Sequence, residues 1–292
     1  MQHRGRVSVG NAHDPVSRSG ARRRRGRAAS PRAPRCRGGR GKGVTTELAS
    51  RVVETGAIGV EVAGATDRGT VRTENQDAWG ATPRAAGVAL ALADGMGGHA
   101  GGRESAEAAI EAAVYRLAEA GPPDRILEAA VHDANAAVAG VRDLLGGDPG
   151  TTLVLACVEG DRAFLANVGD SRAYLIRDGE AEQLTHDHSW VGDELRAGRL
   201  DHDAARHHPR RNIITRAVMG DQVKADVYDT PLRRGDLLLL CTDGVWEPLT
   251  DEMLTAFLTS DGPLSRTLER LCEAAIDAGS RDNVTAVAVR VQ

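Results

Sequence analysis

The chain has 292 residues, a formal net charge of −4, 41% apolar residues and only 3% aromatic ones. That length supports one large core or two small ones, built mainly from Ala, Val, Leu and Ile. Its longest uninterrupted apolar runs, "VALALA" at 88–93 and "LVLACV" at 153–158, are far too short to cross a bilayer. Four widely spaced cysteines with no C-x-x-C pair argue against a disulfide framework or a zinc ribbon.

Charge is distributed unevenly. Residues 1–43 carry 13 Lys/Arg and one acid, Asp14, leaving 24 Lys/Arg and 40 acids for the rest. This first segment is rich in Arg, Gly, Pro and Ser and has little to bury, which predicts a disordered Arg-rich tail ahead of a globular body at 44–292. It lacks aromatic residues to stack on bases, so nucleic acid is not the expected partner. No apolar segment follows the basic start, so no signal peptide is read, and a cytoplasmic protein is expected.

In chain order, "VALALA" at 88–93 predicts a strand buried on both faces. An Ala-rich periodic segment predicts a helix over 103–120, stopped by Gly121-Pro122-Pro123, and a second helix fills 124–145. Short strands are expected at 152–158, 162–168, 172–177 and 181–184, with "EGDR" and "RDGE" as hairpin turns. The His-rich stretch 186–220 reads as a loop with short helices. Strands at 224–229 and 236–241, helices at 251–259 and 263–278, and a last strand at 283–291 complete the series. Hairpin strands interleaved with a few helices predict an α+β fold with mostly antiparallel sheet.

Four of these strands have an aspartate at the margin. "ALALA" runs into Asp94-Gly95, "LLLLCT" into Asp243-Gly244 and "AFLANV" into Gly169-Asp170-Ser171, while Asp282-Asn283 opens the last strand. A single Asp-Gly pair reads as a turn. Four such carboxylates at strand ends can converge at one mouth, where their repulsion is relieved by a hard divalent cation with oxygen ligands, Mg²⁺ or Mn²⁺. Gly95 frees a backbone carbonyl to face that cation, and Gly97, Gly98, Gly101 and Gly102 supply unusual dihedrals before the helix. Upstream, Arg68 and Arg72 precede Asp77. An arginine beside a cation cluster suits a phosphate, because its planar fork binds two phosphate oxygens.

Eight stretches then match one family in the family's own order. They are "TDRGTVRTENQDAW", "ALADGMGGHAGG", "GTTL" at 150–153, "NVGDSRAYLIRDG", "THDHS", "ITRAVMG", "LLLLCTDGVWE" and "SRDNVTAVAV". Over about 61–291 the chain resembles the metal-dependent (type 2C) serine/threonine protein phosphatases in their bacterial form. The resemblance implies a four-layer sandwich of two antiparallel sheets flanked by helices, with two Mn²⁺ or Mg²⁺ ions at one edge. It implies that Asp94 bridges both ions, that Gly95 offers its carbonyl to one, and that Asp243 and Asp282 bind the other. Arg72 would hold the substrate phosphate, Asp77 would position the attacking water, and Asp170 would bind a third, weaker ion. The stretch 186–215 matches the variable flap beside the cleft. The implied activity is hydrolysis of phosphoserine and phosphothreonine in proteins by a monomer, with serine/threonine kinases and their targets as partners.

Two positions depart from the animal members: Gln76 replaces a glutamate, and Met96 replaces a histidine proposed as general acid. His99 is a candidate proton donor by proximity. A catalytically weak member that binds phosphoproteins is the alternative reading. Other hydrolase classes fail on residues. Leu92 stands where a haloacid-dehalogenase-type nucleophile would be, "GDSRA" at 169–173 lies between strands rather than before a helix, and His186-Asp187 lacks further helical histidines.

Overall fold

The computed structural model describes residues 51–55, 58–97 and 101–292, all within one unit of the chain. The expected tail over 1–43, with its boundary at 43/44, lies outside the described residues, as do Gly98 and His99.

The strand β4 (Gly87–Met96) explains the architecture. Successive side chains of a strand face opposite ways. Ala89, Ala91 and Ala93 join one apolar cluster, while Val88, Leu90 and Leu92 join another. The small alanine face lies under two helices, α1 (Gly102–Leu117) and α2 (Pro123–Leu145). The larger face packs against a second sheet. Beside β4 lie β3 (Asp77–Arg84), β6 (Leu153–Glu159), β7 (Arg162–Val168) and β10 (Asp226–Pro231). The sheet order is β10-β7-β6-β4-β3, and the two-residue β5 (Gly150–Thr151) adds to the end of β4.

The second sheet runs β1-β2-β12-β11-β8-β9, from β1 (Arg51–Thr55), β2 (Ile58–Asp67), β12 (Val284–Val291), β11 (Leu237–Cys241), β8 (Arg172–Arg177) and β9 (Glu180–Gln183). Every pairing between these strands is antiparallel. Alternation governs this sheet too. Leu238 and Leu240 of β11 and Val287 and Val289 of β12 face the first sheet. Leu237, Leu239, Ala286 and Ala288 face outward, under α6 (Asp251–Leu258) and α7 (Leu264–Asp277). Three apolar layers thus separate four structural layers, as expected from the resemblance.

The 186–220 excursion holds two short helices, α3 (Trp190–Arg196) and α4 (His202–Arg206), capped by the side chains of Ser189 and Asp201. A further helix, α5 (Asp243–Trp246), is a single turn directly after β11. The sequence reading places Asp243-Gly244 at a strand margin; in the structure Asp243 begins this helix.

The chain crosses between sheets after β2, β7, β9 and β10. The first three crossings lie at the same edge of the sandwich, where β4 and β11 end and β12 begins, and the last lies at the opposite edge. The first of these edges gathers residues more than 200 positions apart.

Candidate functional site

Asp77 and Asp94 face each other as register partners on β3 and β4. Asp94 is locked through its backbone: its N–H donates to Thr152 Oγ1 (2.9 Å), and its carbonyl accepts from Thr151 Oγ1 (2.8 Å) and from the Thr152 N–H (2.9 Å). Its carboxylate takes no part in that net. Thr152 Oγ1 in turn meets Ser171 Oγ at 2.8 Å, which ties β4 to the turn bearing Asp170. From the other sheet, Thr242 Oγ1 donates to Asp77 Oδ2 at 2.9 Å. Asp243 follows Thr242 at once, so one short segment supports Asp77 and presents another acid.

The glycines act by absence. A Cβ at Gly95 would lie 2.2 Å from the Gly102 carbonyl oxygen and 2.7 Å from that of Gln76, both backbone atoms. Gly95 also donates its N–H to Gln76 O (3.1 Å). Gly97 and Gly101 adopt positive φ, 129° and 97°, as expected. Gly102 departs from that expectation: it is the first residue of α1, and it is small because Gln76 lies against it.

Asp94 and Asp243 are pushed well above the ordinary carboxylate range, first by loss of hydration and then by the neighbouring aspartates. The acids acting on Asp94 are Asp77, Asp243, Asp170 and Asp282. Asp77 and Asp170 are buried, and burial raises each to about 7. The strand-margin reading names Asp94, Asp170, Asp243 and Asp282 but not Asp77, which also acts on Asp94.

Asp282 differs in having a counter-charge. Arg72 Nη2 lies 2.6 Å from its Oδ2, and the Asn283 N–H donates to its Oδ1 at 2.8 Å. Arg72 is half-exposed and lies in the loop between β2 and β3. Asn283 fastens that loop: its Nδ2 donates to the carbonyls of Arg68 and Glu74 (2.9 Å each), and its Oδ1 accepts from the Gln76 N–H (2.8 Å). Sequence reading sees Asn283 only as a strand margin and passes over Thr151, Thr152 and Thr242. The available signal was a run of buried hydroxyl and amide side chains at the ends of apolar strands.

The donor set suits hard divalent cations. The candidate ligands Asp94, Asp170, Asp243, Asp282 and the Gly95 carbonyl are all oxygen donors, and Asp243 Oδ1 is buried without a hydrogen-bond partner. Among the described residues no three His, Cys, Asp or Glu side chains close around one point as a ligand group. The fit therefore rests on chemistry and charge. Beside Asp170 and Asp243 a cavity of about 640 Å³ opens beneath the flap, walled by Trp246, Val191, Leu195 and Ala205.

Comparison with known proteins gives a consistent result. A profile of the Protein phosphatase 2C family matches residues 68–284. Serine/threonine protein phosphatase PstP of Mycobacterium tuberculosis is 39% identical over 232 residues, covering 77% of this chain but 44% of that protein, so the chain spans less than half of that relative. Protein phosphatase PhpP of Streptococcus pneumoniae is 35% identical over 239 residues, covering 79% of this chain and 97% of that protein. The crystal structure of the PstP catalytic domain in complex with two manganese ions superposes with a TM-score of 0.70 at 36% identity, covering 80% of this chain and 98% of that one.

Proposed function

Because the chain belongs to the protein phosphatase 2C family, we propose that it hydrolyses phosphoserine and phosphothreonine in proteins at a centre of two divalent cations. The observation that carries this reading is the gathering of aspartates at one sheet edge, with Asp94 and Asp243 both held far above their ordinary pKa. Cations bound there would lower the pKa of water towards neutrality and polarise the phosphoryl group.

The residues divide the work. Asp94, clamped by Thr151 and Thr152, and the Gly95 carbonyl would serve the centre. Asp243 and Asp282 would hold one cation, and Asp170 would hold a third, weaker one. Asp77, gripped from behind by Thr242, orients the attacking water. Arg72 turns from Asp282 to the phosphate oxygens when substrate arrives, supplying two donors to the developing charge. The alkoxide leaving group takes its proton from solvent in the cleft or from His99. Mn²⁺ and Mg²⁺ both suit the oxygen set. The substrates are phosphorylated proteins, serine/threonine kinases and their targets among them.

The test is cleavage of phosphothreonine and phosphotyrosine peptides side by side, with chelator and with added Mn²⁺. Turnover of the phosphothreonine peptide is expected to need the metal and to vanish in Asp94→Ala and Asp243→Ala. Near-normal turnover in either variant would refute the site assignment. Tight binding of phosphopeptide without any turnover would favour a phosphoprotein-binding module instead.

A further inference from the structure

Arg172 has no part in the chemistry above, yet it is one of the most heavily engaged side chains near the site. It lies two residues after Asp170, at the start of β8, with its side chain 16% exposed. Its Nη1 donates to Tyr174 Oη (2.8 Å), while Nε and Nη2 form a fork on Asp187, to Oδ1 at 3.0 Å and Oδ2 at 2.8 Å. The guanidinium carbon sits 3.5 Å from the centre of the Trp246 ring, as a stacked cation.

Trp246 is the last residue of α5, the single turn that Asp243 begins. Its indole Nε1 donates to the backbone carbonyl of Asp170 at 3.1 Å. One aromatic ring therefore touches the turn carrying Asp170, belongs to the helix carrying Asp243, and is covered by Arg172. The far side of the clamp is the base of the flap. Asp187 also accepts from Gln183 Nε2 (3.1 Å), and its carbonyl accepts from Arg196 of α3 (3.3 Å).

A buried arginine fork on a carboxylate has a simpler explanation: it neutralises Asp187 and nothing more. That account requires only a charge. It leaves unexplained why the guanidinium plane lies on an indole whose N–H is spent on Asp170. A planar cation both forks a carboxylate and stacks on a ring, which an ammonium cannot do.

We propose that Arg172 is a positioning residue that clamps Trp246 and thereby fixes Asp170 relative to Asp243. The inference rests on the reading of those two acids as cation ligands. Outer partners of metal ligands typically change metal affinity about 10- to 100-fold when removed.

The experiment measures Mn²⁺ binding to the full chain by calorimetry and by quenching of tryptophan fluorescence, with melting in chelator as the folding control. Three variants are compared with wild type. Arg172→Met with Asp187→Asn removes both charges at once, so neutralisation is no longer needed. If Arg172 positions, this double variant melts near wild type but binds Mn²⁺ roughly 10- to 100-fold more weakly. Arg172→Lys keeps the charge without the stack, and Trp246→Phe keeps a ring without the N–H. Both are expected to weaken Mn²⁺ binding while still melting cooperatively as folded proteins in chelator. Wild-type Mn²⁺ affinity in the double variant, or in Arg172→Lys should the double variant fail to fold, overturns the proposal. If wild type itself binds no Mn²⁺, the reading of the site fails first and this inference falls with it. Intact wild-type binding and turnover with undiminished binding in the variants refutes the clamp alone.

Discussion

Replacing Asp170 with Asn should stabilise the metal-free protein, by an amount that depends on pH. Burial raises the Asp170 carboxyl from 3.8 to about 7. Below about pH 4 the carboxyl is protonated in both folded and unfolded chains, and it costs folding nothing. As pH rises towards 7 the unfolded chain releases this proton and the folded one keeps it, so stability falls. Above the folded pKa the penalty is constant. At about 1.4 kcal/mol per pH unit, the displacement amounts to roughly 4 kcal/mol. An amide escapes this penalty. At roughly 2–4 °C per kcal/mol for a domain of this size, Asp170→Asn should melt about 8–16 °C above wild type near pH 8 in chelator. The gap should shrink to a constant offset near about pH 4. Added Mn²⁺ should close or reverse it, since the cation favours the ionised acid of the wild type. The assay is thermal unfolding of both proteins across this pH range; taking their difference removes the titrating groups that do not feel Asp170, while Asp94 and Asp243, which do, titrate more readily in the variant. His188 is among the groups removed: burial lowers its pKa in the fold, so it opposes stability at acid pH. A gap that is the same at both ends of the range, or a less stable variant at high pH in chelator, would refute the electrostatic account.

Three further outcomes follow. Arg72→Ala should lower kcat/KM on a phosphothreonine peptide by about 10²–10³, the usual loss for one donor to a developing anion. Its pair with Asp282 is 51% and 30% exposed, so stability in urea should move by no more than about 1 kcal/mol. Gly95→Ala should destabilise by about 1–3 kcal/mol in the same titration and abolish Mn²⁺-dependent turnover, because the new Cβ meets two backbone carbonyls that cannot turn aside. Arg84→Ala should cost about 3–5 kcal/mol while leaving KM unchanged. That side chain, 3% exposed, holds Glu159 and the carbonyls of Leu117, Glu119 and Gly121, and its loss uncouples the turn between α1 and α2 from the sheet far from the cleft.

Where patterning was regular, the elements were legible in the residues. The strands β7 and β8 match their expected spans, and α1, α2, α6 and α7 lie within three residues of theirs, because apolar periodicity and Gly/Pro stops agree there. The strands β2 and β3 had no such signal. In β2, Gly59, Gly64 and the buried acid Glu61 break the alternation; Glu61 is tolerated because it accepts from the Leu264 N–H and from Arg290. Gly64 is required there by the Trp79 ring, which would lie 2.6 Å from a Cβ. The strand β3 carries Gly80 and Pro83, and it survives a proline because it is the last strand of its sheet. The helix α5 is too short for periodicity to report. At the site, Asp94, Asp170 and Asp243 were legible because each follows an apolar run, and Asp282 because it precedes one. The Arg72–Asp282 pair was not, since it joins positions 210 apart in a loop without pattern.

The edge of the sandwich opposite the cleft has a different character. There the strands return through tight turns at Arg84–Gly87, Glu159–Arg162 and Arg177–Glu180, with Gly160, Asp178 and Gly179 in left-handed conformations. A longer turn adds little closure entropy, and none of these three bends carries an acid of the cleft. Tags, reporter domains or new chain termini grafted at these three bends should leave catalysis intact, whereas a single residue inserted at the crossover after β2 or after β7 would shift the whole constellation out of line.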